Sequence, residues 1–176
     1  MNIEYILGVI VGIVVALALA FIFFYLANKT KKRNAPCEFD ERQNLVRGKG
    51  FKYGFFTLLA YDFLFACFDE LTESSYCDTV AGMVIGIALA LIVWGVYCIW
   101  NDAYMSMSER PLTIYLLLGG VGGLNLLCGI MRGLQGEILI EGRLTGSAAN
   151  LIIGIVFAVL LAVFVTKNGI DARNAD

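Results

Sequence analysis

The amino-acid sequence predicts an all-α integral membrane bundle of five transmembrane helices, and three observations predict it. Apolar stretches of about twenty residues, the length an α-helix needs to cross roughly 30 Å of hydrocarbon, recur along the chain. Side chains are 59% apolar and only 16% charged over 176 residues, and the mean hydropathy is +0.77, which leaves too little polar surface to cover a soluble domain. The basic residues between the stretches fall almost wholly on alternate loops.

Taken in order, the predicted spans are Ile3–Ala27, Phe51–Leu71, Val80–Trp100, Leu112–Met131 and Ser147–Thr166. Together they make residues 1–176 a single transmembrane domain. The first span is read as a retained helix and not a secretory leader, because Met1-Asn2-Ile3-Glu4 has no basic flank and Lys29-Thr30-Lys31-Lys32-Arg33 follows the apolar run as a stop. Residues 28–50 form a basic cytoplasmic loop in which Pro36 interrupts any helix continuing from the first span. Asp40, followed three residues later by Gln43, has the pattern of a capping box, so a short interfacial helix is expected to start there and run into the second span near Phe51. Pro111 opens the fourth span, where a missing N–H costs nothing. Between the fourth and fifth spans, Ile138-Leu139-Ile140 lies between Glu137 and Glu141 and reads as a short amphipathic element on the membrane surface.

Orientation follows from charge. Eleven basic residues lie on one side: Lys29, Lys31, Lys32, Arg33, Arg42, Arg47, Lys49 and Lys52 around the first loop, with Arg110, Lys167 and Arg173 further on. The other side holds two, Arg132 and Arg143. The first side is therefore cytoplasmic, the N-terminus outside and the C-terminus inside. Cys37 then faces the cytoplasm and Cys77 the exterior.

The polar residues inside the spans are the candidate site. Asp62 sits near the middle of the second span, where an ionised carboxylate costs at least about 2.5–3.5 kcal/mol. Asp69 lies seven residues further along the same face, and the fourth span carries Asn125, Gly129 and Arg132 at matching spacing. The expected cluster is Asp62 opposite Asn125, with Asp69 or Glu70 paired to Arg132. It reads either as interhelical glue or as a polar pathway with Asp62 as its protonatable group. At the cytoplasmic end a second cluster is expected from Asp40, Arg42, Arg47 and Asp102, with Asp102 paired to Arg42 or Arg47. Glycines four apart, Gly8/Gly12, Gly82/Gly86, Gly119/Gly123 and Gly129/Gly133, offer faces for close helix packing or, at Gly8/Gly12, self-association.

Several chemistries are pruned. The chain has no histidine, no CxxC pair among its five cysteines, and no glycine-rich phosphate loop. No catalytic, cofactor or metal residues are therefore assigned. The outer carboxylates Asp69, Glu70, Glu73, Asp78, Glu137 and Glu141 have no cation-loop spacing and read as solvated charge. Cys67 and Cys77 either bridge across the second loop or leave Cys67 a free buried thiol.

The run Phe39-Asp40-Glu41-Arg42-Gln43, then Arg47-Gly48-Lys49-Gly50, Lys52-Tyr53-Gly54-Phe55 and Asn101-Asp102-Ala103-Tyr104, resembles a family of small uncharacterised multi-spanning membrane proteins of Gram-positive gut bacteria. The resemblance covers residues 39–110 and implies a multi-pass protein of the bacterial plasma membrane, without an activity. The expectation is thus a non-enzymatic membrane protein, an accessory or regulatory subunit or a small homo-oligomer, whose partners are the lipid bilayer and other membrane subunits and not nucleic acid. The competing expectation is a small transporter or channel component using Asp62, Asn125 and Arg132.

Overall fold

The computed structural model describes residues 39–72, 76–106 and 111–174, all within the unit Glu38–Asp176. The first predicted span, Gly8/Gly12, Cys37, Glu73 and most of the basic loop lie outside the described residues. Four helices follow in up-down order: α1 (Glu41–Thr72), α2 (Thr79–Trp100), α3 (Pro111–Leu134) and α4 (Ala149–Asn174). All four are long and apolar enough to cross a membrane.

Helix α1 starts where the capping box predicts. The Asp40 carboxylate accepts from the backbone N–H of Gln43, and the Gln43 amide oxygen accepts from the backbone N–H of Asp40 at 3.2 Å, so two otherwise orphaned donors satisfy each other's residues. The expected interfacial helix and second span are one continuous rod of 32 residues, about 48 Å long. Helix α2 is capped at both ends. Asp78 accepts from the Ala81 amide at its start. At its finish Ala103 N–H donates to Cys98 O (2.8 Å) and Asp102 N–H to Ile99 O (3.2 Å), a Schellman motif with Asp102 in the left-handed region at φ 53°.

The helices pack as a row, α1 on α2, α2 on α4 and α4 on α3. The shared core holds Ala88 and Ile99 of α2, Ile114 and Leu118 of α3, and Val156, Leu160 and Phe164 of α4. Glycines set the spacing: Gly82 and Gly86 of α2 sit under the rings of Phe65 and Tyr61, and Gly129 of α3 lies against the backbone of Leu151. Gly133 touches Ile138 of the following loop, while Gly119 has only ordinary contact with Leu161 and Gly123 has nothing beside it, so these last glycines do not set a helix seam.

The loop between α3 and α4 departs from expectation. Leu139–Ile140 (β1) and Arg143–Leu144 (β2) form an antiparallel hairpin, so the short element expected here is a strand pair. Glu141 (φ 51°) and Gly142 (φ 76°) make its turn, both in the left-handed conformation that a two-residue hairpin needs. The hairpin is tied to the α1–α2 loop: Asp78 N–H donates to Leu144 O (2.8 Å) and Leu144 N–H to Tyr76 O (3.0 Å).

Candidate functional site

The residues of the two sequence motifs meet at the end of the bundle where α1 starts and α2 finishes. Gln43, 7% exposed, donates from Nε2 to the carbonyls of Asp102 (2.8 Å) and Met105 (3.1 Å), so its amide joins the start of α1 to the turn after α2. One turn along α1, Arg47 donates to Ala103 O at 3.4 Å, and its guanidinium lies 4.0 Å from the Phe39 ring centre and 5.8 Å from that of Trp94. From Trp94 a line of aromatic rings continues through Tyr104 and Phe164 to Tyr115, so that this end is tied across all four helices.

Beside this joint lies a cleft of about 230 Å³ with Gln43, Asp102, Ser106, Lys167 and Asn168 on its walls. Lys167 of α4 pairs with Asp102 at 3.2 Å and with Asp171 at 2.6 Å, and Asn168 donates to the Tyr115 hydroxyl at 3.0 Å. Its polar groups are thus largely engaged with one another, and the arrangement acts as a latch between the α2 turn and α4.

The expected cytoplasmic cluster is accordingly rearranged. Asp102 pairs with Lys167 and not with Arg42 or Arg47. Arg47 reaches the neighbouring carbonyl, Asp40 serves as the cap, and Arg42 is exposed. Gln43 and Lys167 are the residues that sequence reasoning missed as joiners. The Asp40/Gln43 capping spacing marks Gln43 as the start of α1 but carries no signal of its partners across the bundle, and nothing in the spacing places Lys167 beside Asp102.

At the opposite end the organiser is Asp78. Its carboxylate accepts from Ala81 N–H (2.6 Å) and Gly146 N–H (2.7 Å), joining α2 to the loop before α4. Those amide donors, that of Ala81 first, hold its carboxyl below the usual carboxylate range. Arg132 donates to Ser147 Oγ at 3.2 Å and pairs with Glu137 at 3.6 Å. The expected partners Asp69 and Glu70 are exposed on α1, which makes no substantial contact with α3, so the predicted ion pair is replaced by a local one. Asn125 likewise stays within its own helix, donating to Val121 O at 2.8 Å. Asp62 is exposed on α1, with no hydrogen bond or ion pair among the described residues. The expected cluster of Asp62, Asp69, Glu70, Asn125 and Arg132 is therefore not brought together, because two helices stand between its halves.

Cys67 and Cys77 are not joined in a disulfide, and Cys77 is buried beneath its bridge to Leu144, with burial raising its pKa. Among the described residues no three acidic or cysteine side chains converge as a metal site requires. Comparison with protein-family models, with curated proteins and with solved structures found no match.

Proposed function

We propose that this is an integral protein of the bacterial plasma membrane, crossing it five times with its N-terminus outside and its C-terminus in the cytoplasm. It acts without catalysis of its own, as an accessory or regulatory subunit or a small homo-oligomer. The observation that carries the reading is the face of α1 that no other described helix covers. Only 6% of its apolar stretch is buried, against 22–33% in the other three helices. That face carries exposed Leu59 and Phe63, with Asp62 beside them. Facing acyl chains, an ionisable group costs at least about 2.5–3.5 kcal/mol, and a contacting polypeptide that hydrogen-bonds the carboxyl removes that cost. A helix with one packed side and a polar group on its open side is thus suited to recruit another transmembrane segment.

The test is site-specific photo-crosslinking in cells, with the probe placed at Leu59 or Phe63 and, as control, at Ile153 or Val165 of α4. Crosslinks from α1 to a second copy or another membrane polypeptide are expected, with lipid adducts alone from α4. Crosslinks confined to the same chain would overturn the reading. Topology is checked separately by thiol labelling. Because Cys77 is buried, the outside probe belongs on the hairpin tip, as Glu141→Cys, with Cys37 reporting the cytoplasm.

A further inference from the structure

Beside the capped end, α1 and α2 diverge to leave an apolar groove of about 560 Å³, walled by Tyr53 of α1 and by Ile92, Val93, Val96, Tyr97 and Trp100 of α2. It runs along α2 for about 12 Å, from Ile92 to Trp100, and ends at Asn101 where the helix stops. The rings of Tyr53 and Tyr97 meet edge to face at 5.0 Å, and Trp100 stands 54% exposed at the mouth. Aromatic residues with one apolar and one polar side favour the level of lipid headgroups.

Two cations lie on the helix face that leads to the mouth. Arg42, Val46, Lys49 and Tyr53 follow one another at four, three and four residues and so share one face of α1, the face from which Tyr53 enters the wall of the groove. The two helices are antiparallel, Gly54 lying against Ala90 and Gly50 against Trp94 and Cys98. Stepping back one turn from Tyr53 to Lys49 therefore moves towards Trp100 and Asn101. Neither Arg42 nor Lys49 has an ion pair among the described residues. Of the described carboxylates nearby, Asp40 is committed to its cap and Asp102 to Lys167, and Glu41 lies off this face.

From this juxtaposition we infer that the groove is a binding site for an anionic phospholipid, one acyl chain lying along α2 and the phosphate held between Arg42 and Lys49. The inference rests on the membrane reading above. It adds selectivity to it: a bare apolar groove takes any lipid, while two cations beside its mouth that have no ion pair among the described residues favour a negative headgroup.

Full-length protein is reconstituted in nanodiscs of equimolar phosphatidylglycerol and phosphatidylcholine, and the lipids it retains on release are counted by native mass spectrometry. Wild type retains phosphatidylglycerol preferentially. Arg42→Gln/Lys49→Gln lowers that preference roughly thirty-fold, the product of two charges near an anionic phosphate. Arg42→Lys/Lys49→Arg keeps it. Lys52→Gln/Arg173→Gln removes the same charge from elsewhere at this end and leaves the preference in place. Val93→Trp fills the groove and lowers retention of both lipids. Equal loss from the two Gln pairs, or undiminished retention in the Val93→Trp protein, would overturn the site while leaving the membrane reading intact. A wild-type protein that does not enter nanodiscs would overturn both.

Discussion

Along the α1/α2 seam Gly50, Gly82 and Gly86 face side chains, and Gly54 alone faces backbone, where an added methyl group would meet the Ala90 carbonyl at 3.0 Å. Along the α3/α4 seam, by contrast, a methyl group at Gly129 or Gly154 would come within 2.8 Å of backbone atoms. A methyl group added at Gly82 or Gly86 would meet the Phe65 ring at 2.5 Å or the Tyr61 ring at 2.7 Å, side chains that can swing aside. One added at Gly129 would meet Leu151 Cα at 2.6 Å and N at 2.7 Å, and one at Gly154 would meet the Leu126 side chain at 2.7 Å and its backbone N at 2.8 Å. The second seam is thus closed by direct backbone approach, which gives continuous van der Waals contact where apolar surroundings provide little drive for association. The first is closed by interdigitated aromatics, adaptable and exposed along one edge. The difference teaches which half is the fixed frame and which can remodel: α2, α4 and α3 share the core, and among the described residues α1 leans on that frame chiefly through α2 and the turn that follows it.

The largest expected effect breaks the fixed seam. Gly129→Ala should destabilise the protein by about 3 kcal/mol, the upper end for overpacking, because backbone cannot yield as a side chain can. Gly86→Ala should cost about 1 kcal/mol after the ring shifts and the helix gains from losing a glycine. Gly120→Ala, with open space around it, should be neutral or stabilising. Denaturant titration in detergent micelles, followed by tryptophan fluorescence, ranks the three. Equal costs at positions 129 and 86 would erase the distinction between the seams.

Next in size is Gln43, which fastens α1 to the frame. Gln43→Ala leaves the Asp102 and Met105 carbonyls without their donor and should cost about 2 kcal/mol. Hydrogen exchange should then show the first turns of α1 opening while α3 and α4 keep their protection. If α3 and α4 loosened equally, α1 would belong to the frame.

How much of this was legible in the sequence follows from the range of each interaction. The four described helices and the Asp40/Gln43 box were readable because hydropathy and capping act over a few residues. The hairpin was missed because Ile138-Leu139-Ile140 was weighed by apolarity alone, although Glu141-Gly142 carried a turn signal. The polar cluster of Asp62, Asn125 and Arg132 was misplaced because matching depth on two parallel helices says nothing of adjacency. Adjacency is decided by which glycine faces fit which side chains, and those faces put α2 and α4 between α1 and α3. Lys167 escaped for the same reason, since its partner Asp102 lies 65 residues away in a turn whose position depends on the packing.

Asp78 offers a smaller effect at the opposite end. Asp78→Ala should cost about 1 kcal/mol as the α2 cap is lost. Since its carboxyl is held below the usual range by the Ala81 and Gly146 amides, the folded state favours its charged form. That contribution is complete above the ordinary carboxyl range and disappears as pH falls through the lowered folded value. Melting of wild type and Asp78→Asn between pH 7 and pH 3 should therefore converge at the acid end. A constant gap would show that Asp78 acts by shape alone.

The smallest expected effect is at Asp102, where two contributions oppose. As the left-handed residue closing α2, aspartate at φ 53° is disfavoured relative to glycine by up to about 1 kcal/mol. As the partner of Lys167, with its own side chain 59% exposed, it gains little more than a surface pair, about 0–1 kcal/mol. Asp102→Gly should thus change stability by less than about 0.5 kcal/mol, whereas Asp102→Ala, which loses the pair and keeps the backbone cost, should be the worse of the two. If Asp102→Gly were as damaging as Asp102→Ala, the Lys167 contact would outweigh the backbone, and the latch between the α2 turn and α4 would be a main support of the frame. If it were stabilising, the aspartate is kept at this position at the expense of the fold, and the cleft it shares with Lys167 and Gln43 becomes the place to look for what that expense supports.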